Sequence, residues 1–223
     1  MGESRKKPVV AVFDFDGTIT YADSFLPFLR HVCGFPGFWI RFIFLAPALA
    51  LHFVGVIGNT RTKELFLKWF LGGLSTTRLL GLAQSFSDGP LMTLVNPLAM
   101  ERVAWHRTHG HRLILLSASP ELYLQAWVEK NGFEKVIGTR LVLSEERVTG
   151  CIDGANCHGA EKVARLKTEL GDLGNYEIYS YGDSRSDLVL LDQIDHAGFR
   201  SFEGPSAKAY RRTGRRRFLK ALL

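Results

Sequence analysis

Cysteine is scarce in this chain of 223 residues: there are three, Cys33, Cys151 and Cys157. An odd count at irregular spacing excludes a disulfide scaffold and points to free thiols in a reducing compartment. Proline is limited to 8 residues, and the 22 glycines follow no Gly-X-Y period, so collagen-like and mucin-like chains fall away. Charged residues make up 22% against 46% hydrophobic, which excludes wholesale disorder. Acids are the scarcer sign, 22 against 28 Lys and Arg, for a formal net charge of +6. There is no internal repeat and no long linker. No apolar run with a small-residue cleavage site precedes the first strand-like segment, so a secretory signal is not expected. Lys6 breaks the N-myristoylation pattern.

What is present is organised. Pro8 to Phe15 (PVVAVFDF), Arg112 to Leu116 (RLILL) and Tyr176 to Tyr181 (YEIYSY) are short apolar runs. Each is followed by polar or acidic residues, the pattern of a buried parallel strand with a functional C-terminal end. His196 to Phe202 is a weaker fourth run. Helical patterns at Glu121 to Asn131, Ala160 to Leu170 and Ser184 to Gln193 separate them. Leu141 to Leu143 and Arg147 to Cys151 suit a small hairpin. Alternating strands and helices predict an α/β fold with a Rossmann-like, doubly wound, mainly parallel sheet.

The stretch from Asp23 to Gly89 carries no clear strand and reads as helical. The expected division is a core of residues 1–22 and 92–223 with a helical insertion at 23–91 after the first strand. Within it, Phe35 to Gly58 holds one strong charge, Arg41. A membrane span needs about 20 apolar residues, and Pro47 and the glycine-rich ends argue against one clean span. An interfacial or re-entrant helical hairpin, or a buried cap helix, would fit. The segment Tyr210 to Lys220 holds six basic residues and no acid. A membrane surface or a solvated face accounts for it better than nucleic acid does.

Four polar groups sit at strand or helix ends. In Asp14-Phe15-Asp16-Gly17-Thr18, Asp14 and Asp16 are two apart on an extended backbone and share a side, so two carboxylates need a cation or a shared proton. Ser117 and Ala118 in Leu116-Ser117-Ala118-Ser119 offer a hydroxyl and backbone N–H groups to an oxyanion. Lys162 opens a helix in Cys157-His158-Gly159-Ala160-Glu161-Lys162, and Gly182-Asp183-Ser184-Arg185-Ser186-Asp187 adds two acids. Four carboxylates and one lysine form a hard-oxygen site of the kind Mg²⁺ prefers. Cys151, Cys157 and His158 lack paired zinc spacing and read as an ordinary turn. His106, His109 and His111 bracket a turn and read as surface residues.

This ordered set of motifs resembles the haloacid dehalogenase superfamily, specifically its phosphoserine-phosphatase-like branch with a helical cap after the first motif. The resemblance implies Asp14 as a nucleophile that becomes an aspartyl-phosphate and Asp16 as general acid and then base. It implies Mg²⁺ held by the Asp14 carboxylate, the Asp16 main-chain carbonyl and Asp183. Ser117, Ala118 and Lys162 would bind phosphate, with Thr18 and Asp187 in support. The residue after the motif Ser, often Gly in phosphoserine phosphatases, is Ala118 here, which weakens a phosphoserine assignment. The apolar cap and the C-x-G-x-E-K pattern at 157–162 resemble the bacterial phosphatidylglycerophosphatase C group. That resemblance implies an anionic phospholipid substrate at the cytoplasmic side of the cell membrane, with a shallow or peripheral attachment. A small soluble phosphate ester acted on in the cytoplasm, and a non-catalytic membrane-docking protein on the same fold, are the rival readings.

Overall fold

The computed structural model describes residues 7–144 and 146–202. The basic segment at 210–220 lies outside the described residues. Five parallel strands form the central sheet: β1 (Val9–Phe13), β2 (Arg112–Pro120), β3 (Lys135–Thr139), β6 (Glu177–Gly182) and β7 (His196–Phe199). Their order is β3-β2-β1-β6-β7. Val12 of β1 is in register with Ile114 on one side and Ser180 on the other. The chain leaves β1 towards β2 and later returns to β6 on the opposite side. The C-terminal ends of β1, β2 and β6 therefore flank a topological switch point, where open α/β sheets bind ligands. β4 (Leu141–Leu143) and β5 (Val148–Ile152) form the expected antiparallel hairpin.

Alternation along β1 builds two cores. Val10 and Val12 face α6 (Ala160–Leu170) and α7 (Arg185–Leu191), packing with Val163, Leu166 and Leu190. Ala11 and Phe13 face the other way, towards α4 (Pro97–Thr108) and α5 (Glu121–Asn131) through Ala99, Val103, Leu124 and Trp127. This second core runs on through Phe15 and Ile19 into three helices inserted between β1 and β2. These are α1 (Phe25–Phe53), α2 (Asn59–Leu71) and α3 (Thr76–Asp88). α1 packs on α2, α2 on β5 and α3 on α5. Phe28, Phe66, Phe70, Leu79 and Phe86 fill the space between them.

α1 is broken at Gly34, whose φ of 68° and ψ of 170° are not helical. Beyond the break, Phe38 and Leu45 are buried, and Phe38 packs on Phe42 and Phe70. The opposite face is bare: Phe35, Ile40, Ile43 and Phe44 are all exposed, and Phe53 is 84% exposed. α1 is long and apolar enough to cross a membrane, with a mean hydropathy of 1.6 over an 18-residue window of which 11% is buried. Within this chain the segment is thus buried on one side only, through Phe38 and Leu45, with Trp39, Phe42 and Leu49 packed against the core.

Two elements differ from the sequence expectation. β3 was not among the expected strands, because Lys135 and Gly138 interrupt its apolar run. α4 is a further helix, opened by the Asn96 side chain accepting from the Leu98 N–H at 3.1 Å, with Pro97 in its first turn. It also corrects the reading of His106 as a surface residue. His106 is fully buried, one turn beyond Val103 on the same stripe, with Nε2 3.0 Å from the Tyr181 hydroxyl and Nδ1 2.7 Å from His111 Nδ1. His109 is exposed and His111 half-buried.

Candidate active site

β1 ends at Phe13, and the Asp14 N–H continues the sheet by donating to the Tyr181 carbonyl at 2.9 Å. The chain then turns through Phe15–Ile19, with Gly17 at φ 84°. A Cβ at Gly17 would fall on the Asp183 carboxylate, so glycine is required twice over, for the turn and for the approach of the β6 end. Asp14 is buried here, beside the first turn of α6.

Lys162 comes from that first turn and is 2% exposed. Its Nζ lies 2.6 Å from Asp14 Oδ1 and 2.6 Å from Asp187 Oδ1. One ammonium thus serves two buried carboxylates. Burial opposes its charge, but the two carboxylates outweigh burial and hold the lysine above its ordinary pKa. Burial likewise opposes ionisation of Asp187, and Lys162 with the Ser184 N–H (3.0 Å) and hydroxyl (2.7 Å) holds it below the usual carboxylate value. The remaining imbalance falls on Asp14. Burial pushes it up to about 7, Lys162 pulls the other way, and Asp187 and Asp16 add to the rise.

Asp14, Asp183 and Asp187 each present an oxygen within 4.8 Å of the others. An all-oxygen set, at a carboxylate short of positive charge, fits a hard divalent cation. The Asp16 carboxylate is not part of this cluster. Its Oδ1 accepts from the Ser24 N–H at 2.7 Å and its Oδ2 from the Ser119 hydroxyl at 2.5 Å. Ser24 is itself fixed by the Tyr123 hydroxyl at 2.9 Å. The two acids of the first motif therefore have different surroundings, one hydrogen-bonded to an ammonium and the other to neutral donors, with the Lys63 charge acting on it without a bond.

Ser117 follows the apolar run of β2, where the pairing with β3 shifts register, and its Oγ accepts from the Ser119 N–H at 3.1 Å. The Ala118 carbonyl accepts from Lys63 Nζ at 2.6 Å and from the Thr139 hydroxyl at 2.5 Å. Thr18 is buried, with a hydroxyl that has no partner among the described residues. Asp14, Asp16, Ser117, Ala118 and Lys162 all line one cavity of about 390 Å³. Helices α1 and α2 supply the facing wall, through Phe25, Leu26, Leu49, His52, Lys63 and Phe66.

Lys63, Asn156 and Ser119 were not singled out by their residue types. For Lys63 a signal existed. It lies on the buried stripe of α2, beside Thr62 and one turn before Phe66 and Leu67, and a charge on a buried face calls for a partner. The Cys157 thiol is buried, which pushes its pKa up to about 11, and its Sγ lies 3.9 Å from the Ile137 carbonyl oxygen.

Comparison with known proteins adds four findings. The family model for haloacid dehalogenase-like hydrolase matches residues 11–192. The protein CicA of Caulobacter vibrioides is 32% identical over 207 residues, 92% of each chain. Among solved structures, a Bordetella pertussis protein of unknown function superposes with a TM-score of 0.78 at 21% identity, covering 94% of this chain and 97% of that one. A probable phosphoserine phosphatase from Vibrio cholerae gives 0.64 at 16% identity, over 86% of this chain and 55% of that one. Both show the same fold.

Proposed function

The chain belongs to the haloacid dehalogenase-like hydrolases, and from that premise we propose that it is a Mg²⁺-dependent phosphomonoesterase. The observation that carries this reading is Lys162 at 2.6 Å from both Asp14 and Asp187, in the lining of the cavity between β1, β2 and the inserted helices. An ammonium so placed neutralises an attacking carboxylate and faces the oxygens of a phosphoryl group.

In the proposed reaction an Asp14 carboxylate oxygen attacks phosphorus, and the ester oxygen leaves. Asp16, held by Ser24 and Ser119, delivers a proton to that oxygen and then takes one from the water that cleaves the aspartyl-phosphate. Ser117, the Ala118 backbone and Lys162 bind the phosphoryl oxygens. Asp14, Asp183 and the Asp16 main-chain carbonyl would hold Mg²⁺, with Asp187 keeping Lys162 in place and Thr18 supporting the turn. When bound, the ion supplies positive charge against the negative charge of the transferring group.

The substrate we favour is an anionic lipid phosphate, phosphatidylglycerophosphate, converted to phosphatidylglycerol in phospholipid biosynthesis. Its support is the apolar wall of Phe25, Leu26, Leu49 and Phe66, built by helices of which one also exposes an apolar face. No acid occurs between Asp23 and Glu64, whereas Arg30, Arg41, Arg61 and Lys63 do, which suits an anionic surface. On this reading residues 23–91 are a cap that rests on the cytoplasmic face of the membrane, peripherally or shallowly inserted. A soluble ester such as phosphoserine is the second reading, favoured by Asp23 and Lys63, which bring opposite charges to the same cavity. Phosphate release from phosphatidylglycerophosphate in mixed micelles, and from phosphoserine, distinguishes them. The lipid reading requires the first to be faster, and an Asp14→Asn chain to release nothing from either.

A further inference from the structure

The contact between Lys63 and Ala118 joins the inserted helices to the end of β2 at a single carbonyl. Lys63 Nζ is 2.6 Å from the Ala118 oxygen and 3.0 Å from Asn156 Oδ1. The Thr139 hydroxyl reaches the same two acceptors, at 2.5 and 2.9 Å, and is fixed in turn by the Cys157 N–H at 3.1 Å. Both hydrogen-bond acceptors of the ammonium are neutral oxygens, while the Asp16 and Asp23 carboxylates act on its charge without bonding to it.

The Ala118 carbonyl and the Ser119 N–H belong to one planar trans peptide and point in opposite directions. Gripping the oxygen on one side therefore aims the N–H on the other. That N–H donates to Ser117 Oγ at 3.1 Å. A hydroxyl that accepts there keeps its own proton available as a donor. The Ser119 side chain, carried by the same peptide, donates to Asp16 Oδ2 at 2.5 Å. One peptide plane thus ties Lys63 to the hydroxyl placed against the phosphoryl group and to the carboxyl placed against the leaving oxygen.

We propose that Lys63 is a positioning residue: by holding the Ala118 carbonyl from the inserted helices, it sets the Ser117–Ser119 turn for phosphate binding and makes that turn depend on the seating of those helices. This rests on reading the site as a phosphatase. It differs from a role in which Lys63 contacts the leaving group, because a positioning role acts on every substrate alike and on inorganic phosphate itself.

The test uses the full chain with Mg²⁺, and variants Lys63→Met, Lys63→Arg and Thr139→Val. The readouts are the inhibition constant of inorganic phosphate and kcat/KM for a plain aryl phosphate and for phosphatidylglycerophosphate in mixed micelles. Lys63→Met is expected to weaken phosphate inhibition roughly 10- to 100-fold, the range of a lost charge-assisted hydrogen bond. It is expected to lower kcat/KM for both esters by a common factor, and Lys63→Arg to recover part of the loss. Thr139→Val, which loosens the same carbonyl from the other side, is expected to move the same readouts in the same direction. It also carries the test if Lys63→Met does not fold. Unchanged phosphate inhibition in folded Lys63→Met, or in Thr139→Val if that is the variant available, overturns the proposal while leaving the phosphatase reading intact. Loss confined to one ester does the same. A wild-type chain that releases phosphate from neither ester overturns both.

Discussion

Lys162 and Asp14 meet at 2.6 Å although 148 residues separate them in the chain, and the lysine is 2% exposed. A buried ion pair is costly to form and costlier to break, because removing one partner strands the other charge. Lys162→Met strands two carboxylates, Asp14 and Asp187. We expect a stability loss of about 3–5 kcal/mol, read as a lower denaturant midpoint. Turnover is expected to fall by about 10²- to 10³-fold or more, as for loss of an oxyanion donor. A variant that keeps both midpoint and turnover removes Lys162 from the site.

The acidic cluster makes a separate prediction about metal. If Asp14, Asp183 and the Asp16 main-chain carbonyl hold a divalent ion, Mg²⁺ stabilises the folded chain by mass action, by about 2.7 kcal/mol at one hundred times its Kd. The melting midpoint should rise on titration with Mg²⁺ and fall back with chelator. Asp183→Asn should abolish the rise. Gly17→Ala should also reduce it, since the added Cβ falls on the Asp183 carboxylate and φ at that position is 84°. A midpoint indifferent to Mg²⁺ would remove the ion from the scheme.

These residues were legible from sequence because each follows a short apolar run or opens a helix, and local pattern alone locates such ends. Asp14, Ser117 and Asp183 follow β1, the apolar part of β2 and β6, and Lys162 opens α6. The four inner positions of the sheet's two cores alternate along Val10, Ala11, Val12 and Phe13 as an apolar strand buried on both faces must. What stayed hidden is set by tertiary contact. The helical period of α2 marks Lys63 as a charge on an apolar face, but only the seating of that helix gives it its partner, the Ala118 carbonyl. β3 is too short and too interrupted to declare itself, and its place in the sheet comes from pairing with β2. His106 looks like its exposed neighbour His109 until α4 is laid against Phe13 and Tyr181.

That burial gives His106 a pH signature. Desolvation, with the nearby His111, Arg102 and His109 charges, lowers its pKa to about 4, against 6.5 for a free histidine. Below pH 6.5 the unfolded chain takes up a proton that the folded chain refuses, so this residue makes stability fall as pH drops from 6.5 to 4. Asp14 works the other way over the whole of that range, because its raised pKa of about 7, against 3.8 for a free aspartate, lets the folded chain bind a proton the unfolded chain releases. The difference between wild type and His106→Gln isolates the histidine. In chelator, wild type is expected to lose more thermal stability than His106→Gln between pH 7 and 4.5. Parallel pH profiles would show that His106 does not stay neutral in the fold.

The exposed face of α1 supplies the remaining prediction, and it separates attachment from catalysis. Ile43, Phe44 and Phe53 are each at least 66% exposed, so replacing them with Ser should leave the folding free energy within about 0.5 kcal/mol. Against lipid the same side chains matter. Burying one in an acyl layer stabilises by about 1.5–3 kcal/mol, so the triple variant should bind anionic vesicles at least 10²-fold more weakly. The measurement is sedimentation with phosphatidylglycerol-containing vesicles. Turnover of a plain aryl phosphate should be unchanged, because none of the three side chains lines the cavity. Turnover of phosphatidylglycerophosphate should fall with vesicle binding. If the triple variant binds vesicles as wild type does, the face serves some other contact, and the case for a lipid substrate rests on the cavity wall alone.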